Sequence, residues 1–187
     1  MNIMRRPSVH WLLAVVITLI SAIYQRRTGP TYPARGTVSL GGQDVTLRLL
    51  RSHSITARQP VTVTVADASV VGAVEWRRYP TSDPWRTETM VREGAVLTTE
   101  LPPAPEPLMP MAGKLEYRVK LTRGAEQVAF PDKPAVTRFK GDVPAWILIP
   151  HVIAMFFGML FAMRALFAAL GGGDTRRWGF VTTALLV

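Results

Sequence analysis

Two apolar segments bracket a long polar stretch in which hydrophobic residues recur at every second position. The first segment runs from Val9 to Tyr24, and the second runs from Ala145 to Leu170. A helix needs roughly 20 apolar residues to cross a bilayer, and the second segment has that length. The layout therefore predicts a membrane protein that holds one folded domain against one face of the membrane.

The polar stretch shows the alternation that is typical of half-buried strands. Its alternating apolar positions include Val45, Leu47, Leu49, Val61, Val63, Val65, Leu115, Tyr117, Val119 and Leu121. Successive side chains of a strand point to opposite faces, so each run places its apolar residues on one face of a sheet. With turn-forming pairs such as Gly41-Gly42 between the runs, the pattern predicts an antiparallel β-sandwich of about seven to nine strands. The predicted fold class is a membrane-anchored all-β protein.

Between Gly36 and Lys140, the chain resembles the immunoglobulin and fibronectin type III class of sandwiches. Trp76, on an early central strand, looks like the buried aromatic residue of that class. The run Gly113–Leu121 follows the proline-rich segment Pro102–Pro110 and looks like a late strand with a tyrosine corner. The resemblance implies an immunoglobulin-like fold but no activity. The core residues expected from it are Trp76, Leu115, Tyr117 and Val119.

The domain plan follows from these segments. We expect a cytoplasmic N-terminus at 1–8, a transmembrane helix at 9–25, a periplasmic β-sandwich at 31–142, a second transmembrane helix at 144–170, a cytoplasmic loop at 171–177 and the start of a third hydrophobic helix at 178–187. The first helix is interpreted as an uncleaved anchor, because Ser21–Gln25 lacks the small-x-small pattern of a cleavage site. The last run has about half the length of a membrane span. Either it lies in the interface or the natural product continues, and we favour continuation.

The net charge of +9 is unevenly distributed. From Thr31 to Val143 there are 15 basic and 12 acidic residues, so most of the excess lies beside the apolar segments. Arginines and aromatic residues at helix ends are typical anchors to lipid headgroups. The predicted anchors are Arg5, Arg6, Trp11, Tyr24, Arg26, Arg27, Trp146, Arg164, Arg176, Arg177 and Trp178. Their distribution favours a cytoplasmic N-terminus in a bacterial inner membrane and argues against nucleic-acid binding.

Arg164 lies about six residues before the end of the second apolar segment. The favoured interpretation is that its long side chain extends to the headgroups. An interhelical salt bridge or a cofactor contact is the alternative.

His151 is an ionisable residue inside a predicted membrane helix, where such residues are functional candidates. Four-residue steps place it on one stripe with Met155, Met159 and Met163. Such a stripe suits copper, or His151 alone suits the axial position of a haem or bacteriochlorophyll. The simpler interpretation, which we favour, is that His151 bonds a headgroup or a neighbouring chain. No cofactor is required by the sequence.

Ala154, Gly158 and Ala162 also recur at four-residue steps. Small residues at this spacing let another helix approach closely. We expect this face to pack against another chain rather than against the first helix.

No catalytic motif is present in the sequence. The absence of cysteine excludes thiol catalysis and disulfides, and the three histidines, His10, His53 and His151, are far apart in the chain. The predicted function is a non-enzymatic accessory subunit of a large energy-converting membrane complex, with other membrane subunits and lipids as partners. The layout is similar to that of extra subunits in photosynthetic reaction-centre–antenna complexes.

Two other functions stay open. The first is a membrane-anchored periplasmic protein that senses or binds a ligand or glycan, for which Trp76 and Trp85 could frame a sugar. The second is a metal or pigment carrier that acts through His151.

Overall fold

A computed structural model describes residues 6–102 and 113–186 of the chain. It divides into a helical unit, formed by the described parts of Met1–Gly29 and Val143–Val187, and a β unit, formed by those of Pro30–Asp142. The chain is thus a mixed protein in which two apolar helices flank a β-rich unit. Arg5, the tip of the predicted third helix at Val187 and most of the proline-rich segment Pro102–Pro110 lie outside the described residues.

The β unit contains ten strands in its described residues. They are β1 Ala34–Leu40, β2 Gln43–Leu49, β3 Ser52–Ser54, β4 Gln59–Thr64, β5 Val71–Arg78, β6 Arg86–Thr89, β7 Val91–Glu93, β8 Val96–Leu101, β9 Lys114–Arg123 and β10 Glu126–Lys140.

These strands form three sheets. One is the hairpin β1–β2, one has five strands in the order β3-β10-β9-β5-β6, and one has three strands in the order β4-β8-β7. The described pairings are antiparallel except for β3 with β10, which is parallel. In the first hairpin, Leu40 pairs with Gln43. The two turn residues between them, Gly41 and Gly42, have φ of 59° and 74°, a conformation that favours glycine.

All three sheets contribute to one hydrophobic core. In β9, the alternating residues Leu115, Tyr117, Val119 and Leu121 are at most 1% exposed, and the core continues through Leu47 of β2, Val63 of β4 and Trp76 of β5. Burial of one such aliphatic side chain stabilises a fold by roughly 1.5–3 kcal/mol. The period-2 pattern of the sequence is therefore the pattern of core-facing positions.

Tyr117 is buried, but its hydrogen bonds differ from those of the predicted tyrosine corner. Its hydroxyl donates to the Leu50 carbonyl at 2.7 Å, far upstream in the chain, whereas the corner bonds to a backbone group a few residues away. The buried Gln59 donates to the same hydroxyl at 3.0 Å and accepts a hydrogen bond from Thr137 at 2.6 Å. Burial raises the pKa of the Tyr117 phenol well above its usual value, so the hydroxyl stays protonated and able to donate.

The helical unit contains α1 Pro7–Thr28, α2 Ala145–Leu170 and α3 Arg176–Leu186. Pro7 occupies the first turn of α1, where its missing N–H costs no helical hydrogen bond. Helices α1 and α2 are long and apolar enough to cross a membrane, with mean hydropathies of 1.8 and 2.1. The shorter α3 has no buried residue.

Helix α2 is packed along only one half of its length. Ala14 of α1 forms a small core with Leu160 and Phe167 of α2, and the described buried residues of α2 all lie from Gly158 onward. In contrast, every residue from Ala145 to Phe157 except Ala154 is exposed. The first half of α2 therefore offers an apolar surface on all sides.

Candidate functional site

His151 lies in the exposed first half of α2, directly after Pro150. Its neighbours Val152, Ile153 and Met155 are 50–55% exposed, so the imidazole is surrounded in the sequence by uncovered apolar side chains. The methionine stripe does not stay on this free surface, because Met163 packs into the core between α1 and α2. Among the residues described, no group of three or more His, Cys, Asp or Glu could hold a metal ion.

Arg164 lies in a cluster that joins all three helices. Its guanidinium carbon is 5.7 Å from the ring centre of Trp11 on α1 and 5.0 Å from that of Trp178 on α3. The two tryptophan rings meet edge to face at 5.2 Å, and Phe161 stacks on Trp178 at 5.9 Å. We call these four residues the arginine–tryptophan cluster. A desolvated cation over an aromatic face contributes about 2 kcal/mol, so the cluster helps to hold the helices together.

Arg164 is buried within the helical unit. Its side chain is 7% exposed and lies against the faces of Trp11 and Trp178, while its extension to the headgroups stays a prediction. Its Nε and Nη1 have no hydrogen-bond partner among the residues that the structure describes. Trp11 and Trp178, which were predicted to be interfacial anchors, thus also serve as contacts for a buried cation.

Gly158 of α2 lies directly beneath a side chain of α3. A Cβ atom added to Gly158 would lie 2.5 Å from Cδ2 of Leu186, while Ala154 and Ala162 are half-buried. The small-residue face was expected to meet another chain. At Gly158 its neighbour is instead α3 of the same chain.

The other predicted anchors lie at helix ends and are exposed. Tyr24 and Trp146 are 68% and 75% exposed, and the guanidinium of Arg177 lies 5.2 Å from the ring centre of Trp178. The exposed arginines of this set are Arg6, Arg26, Arg27, Arg176 and Arg177.

The β unit carries a groove that the sequence analysis did not identify. Two cavities of about 410 and 300 Å³ adjoin each other and share Arg51, Tyr79 and Val136 in their walls. Lys133 lines the first cavity, and Lys114 and Arg138 line the second. We call this region the basic groove and define it by Arg51, Tyr79, Lys114, Lys133 and Arg138.

The basic groove has an unbalanced positive charge. None of its four cations forms an ion pair with an acidic side chain of the described residues. The one acid in its wall, Glu116, is already bonded to Arg77 at 2.5 Å. The four cations come from β9, β10 and the segment before β3. They are far apart in the chain, so no local sequence motif marks them.

The outer face of β5 and β9 has a different character, because its charges compensate one another. Glu75 bonds Arg118 at 2.7 Å and Lys120 at 2.5 Å. Burial by itself would raise the pKa of Glu75, but the hydrogen bonds from Lys120 and Arg118 outweigh it and lower the pKa below its usual value. The ring of Trp85 lies under the guanidinium of Arg77 at 4.6 Å.

Trp76 and Trp85 do not frame a common sugar site. Trp76 is 3% exposed and belongs to the hydrophobic core. Trp85 is half-buried under the guanidinium groups of Arg77 and Arg118. One ring is thus unavailable to a ligand, and the other is covered by cations.

Comparison of the chain with protein-family models finds no match. No curated protein matches it, and no solved structure matches it.

Proposed function

We propose that this chain is a non-enzymatic accessory subunit of a multi-subunit complex in a bacterial inner membrane. In this proposal α1 and α2 span the bilayer, the N-terminus is cytoplasmic, and the β unit lies on the periplasmic side, where it braces neighbouring subunits. The host is a large energy-converting assembly, either photosynthetic or respiratory.

The observation that carries the proposal is the exposed His151 on α2. Trp146 has the position of an interfacial anchor near the start of α2, and His151 follows it by five residues. At a rise of about 1.5 Å per residue, His151 lies roughly 7 Å deeper along the helix axis. An imidazole at that depth is costly in lipid unless a polar group bonds it.

The surface around His151 supports a protein partner over lipid alone. The first half of α2 is exposed on all sides, which leaves room for helices of neighbouring subunits. A polar group on such a helix would satisfy His151, as intramembrane polar side chains do across helix–helix contacts. We therefore infer that the first half of α2 is the docking surface, and that it binds a membrane helix of another subunit that carries a polar group.

The order of the strands supports an immunoglobulin-like sandwich as the architecture of the β unit. Strands β10, β9, β5 and β6 lie side by side, β4 lies beside β8, and β3 pairs in parallel with β10. Such a sandwich places central strands with a buried Trp opposite a second sheet, and Trp76 on β5 is buried in the shared core. A rigid β unit of this kind suits a bracing role.

The first experiment is affinity purification of the tagged chain from its native membranes in a mild detergent. Mass spectrometry and an absorption spectrum of the eluate identify what accompanies it. We expect stoichiometric membrane subunits, with bacteriochlorophyll bands for a photosynthetic host and haem bands for a respiratory one. Recovery of a lone, colourless chain would overturn the proposal and favour a membrane-anchored binding protein. A lone chain that carries pigment or copper would instead favour a carrier.

Two matched variants test the role of His151. His151→Leu removes the imidazole, and Val152→Leu changes the adjacent exposed side chain without removing a polar group. Loss of one interhelical hydrogen bond should reduce co-purification by about ten-fold in the first variant. The second should stay near the wild-type level. Equal recovery from both would show that the docking surface does not include His151.

A further inference from the structure

We propose that the basic groove of the β unit is a binding site for a phosphate group, supplied by an anionic phospholipid headgroup or by free phosphate. Nothing in the accessory role requires such a site. The inference rests on the β unit alone, except that the preference for a lipid source relies on α1 being a membrane helix.

The fold leaves the positive charge of the groove uncompensated. Some cations of the β unit are matched with acids, as in Arg118 with Glu75 and Arg123 with Asp67, whereas others, such as Arg35 and Arg48 of the β1–β2 hairpin, form no ion pair among the described residues. The groove differs from that hairpin because its four cations line two adjoining cavities. In the groove, Arg51, Lys114, Lys133 and Arg138 converge without an ion pair among the described residues. A concave surface lined by one sign of charge concentrates ions of the opposite sign.

The register of the strands brings like charges together in the groove. Lys114 of β9 and Arg138 of β10 are directly opposite each other, an arrangement in which like charges repel. The backbone N–H of Arg138 also donates to the Arg51 carbonyl at 3.1 Å, which places a third cation beside the pair. An anion between these side chains would convert the repulsion into attraction.

Arg51, which lines both cavities, also carries a donor without a partner in the described part of the chain. The Nε of Arg51 is buried and has no hydrogen-bond partner among the residues that the structure describes. Buried N–H groups are nearly always bonded. Because this N–H is closed to solvent, it would reach a phosphate oxygen only after the Arg51 side chain turns toward the groove, which its lack of a bonded partner among the described residues permits.

The chemistry and size of the groove favour phosphate. Guanidinium groups bind phosphate with paired N–H donors, and ammonium groups bind it as point charges. The cavities of about 300 and 410 Å³ exceed the needs of one phosphate. Tyr79, Pro131 and Val136 supply apolar wall, which suits the glycerol part of a lipid headgroup.

The position of the groove in the chain favours a lipid as the source of the phosphate. Pro30 and Thr31 form part of its wall, and Pro30 comes two residues after the end of α1 at Thr28. If α1 crosses the membrane, this part of the wall is made by residues that leave the bilayer directly. Anionic headgroups are the phosphates of highest local concentration there.

The test uses the full chain purified in an uncharged detergent. Native mass spectrometry counts the short-chain phosphatidylglycerol or phosphatidylcholine bound per chain, and a parallel titration uses inorganic phosphate. The double variant Lys114→Gln/Arg138→Gln removes two exposed groove cations. The control Arg35→Gln/Arg48→Gln removes another pair of arginines that face each other across a hairpin, outside both groove cavities.

We expect the groove variant to bind phosphatidylglycerol at least about ten-fold more weakly than wild type, because it loses charge-assisted hydrogen bonds. The control should bind within about two-fold of wild type. Preference for phosphatidylglycerol identifies a lipid source, whereas equal displacement by inorganic phosphate identifies the free ion. Equal weakening of binding in the groove variant and the control would overturn the proposal, since the diffuse positive charge of the protein would then explain binding. Unchanged binding in both variants would overturn it as well.

A second double variant shows whether weaker binding in the first could result from misfolding. Lys114→Arg/Arg138→Lys keeps both charges and should keep binding within about three-fold of wild type. Loss of binding in this folded variant would also count against the groove. Because these measurements need no partner subunit, their failure would leave the accessory role untouched.

Discussion

Gln59 is fully buried, yet its side-chain amide is bonded at both ends. Its Nε2 donates to the Leu50 carbonyl at 3.3 Å and to the Tyr117 hydroxyl at 3.0 Å, and its Oε1 accepts from Thr137 at 2.6 Å. A buried polar group without partners destabilises a fold, whereas a fully bonded network specifies one arrangement of the core. This network links the end of β2 to strands β4, β9 and β10.

The variant Tyr117→Phe tests that network. It removes the hydroxyl that donates to Leu50 and leaves Gln59 Nε2 with one acceptor fewer. We expect the free energy of unfolding to fall by about 1–3 kcal/mol. Thermal unfolding of the full chain in detergent, followed by the circular dichroism of its strands, measures the change.

Tyr79→Phe is the matched control, because the Tyr79 side chain is 41% exposed. It should change the free energy of unfolding by less than about 0.5 kcal/mol. Similar losses from both variants would mean that the buried hydroxyl has no special role.

At the level of elements, α3 contacts both of the other helices. Leu186 of α3 packs over Gly158 of α2, and Trp178 packs on Phe161 of α2 and on Trp11 of α1. The residues of α3 are exposed or half-buried. A change at Gly158 therefore tests how much of the packing of α3 depends on the contact with Leu186.

Gly158→Ala and Gly179→Ala form a matched pair of helix substitutions. Each replaces glycine by the best helix former, a gain of about 1 kcal/mol in an open position. The new Cβ meets Leu186 at 2.5 Å in the first variant and nothing within 4 Å in the second. We expect α3 to open locally more often in Gly158→Ala and less often in Gly179→Ala than in the wild type.

Limited trypsin digestion at Arg176 and Arg177 reports on α3 directly, since both arginines are exposed. Cleavage should be several-fold faster than wild type in Gly158→Ala and slower in Gly179→Ala. If both variants are cleaved more slowly than wild type, the Leu186 side chain can move aside at no cost. Its contact with Gly158 would then not restrict the packing of α3.

How far the sequence predicts the structure differs between elements. The alternation of Leu115, Tyr117, Val119 and Leu121 was sufficient to predict β9 and its buried face, because period 2 is a local property of the chain. The burial of the Arg164 side chain was not predictable, since it depends on Trp11 of another helix and on Trp178 beyond a loop. The basic groove was hidden for the same reason, because strand register alone brings Arg51, Lys114 and Arg138 together.

For the whole molecule, the proposed topology can be tested with introduced cysteines, because the chain has none of its own. Thr62→Cys places a thiol on an exposed position of β4, and Gly173→Cys places one between α2 and α3. Since a crossing by α2 puts these positions on opposite sides of the bilayer, a membrane-impermeant maleimide should label only Thr62→Cys in intact spheroplasts. Gly173→Cys should react after permeabilisation. Labelling of both in intact spheroplasts would exclude the topology.

The pairing of β3 with β10 has a consequence for how the molecule is made. Six described strands separate β3 from β10 in the chain, and β10 ends at Lys140, five residues before α2 begins at Ala145. Contacts between distant parts of a chain form late, because the intervening loop must first be closed. The five-stranded sheet thus stays unfinished until the ribosome has synthesised nearly all of the β unit, and its last strand emerges together with the start of α2. If α2 crosses the membrane as proposed, its insertion and the completion of the sheet nearly coincide in biogenesis, and an interruption of either leaves an open sheet edge exposed to proteases.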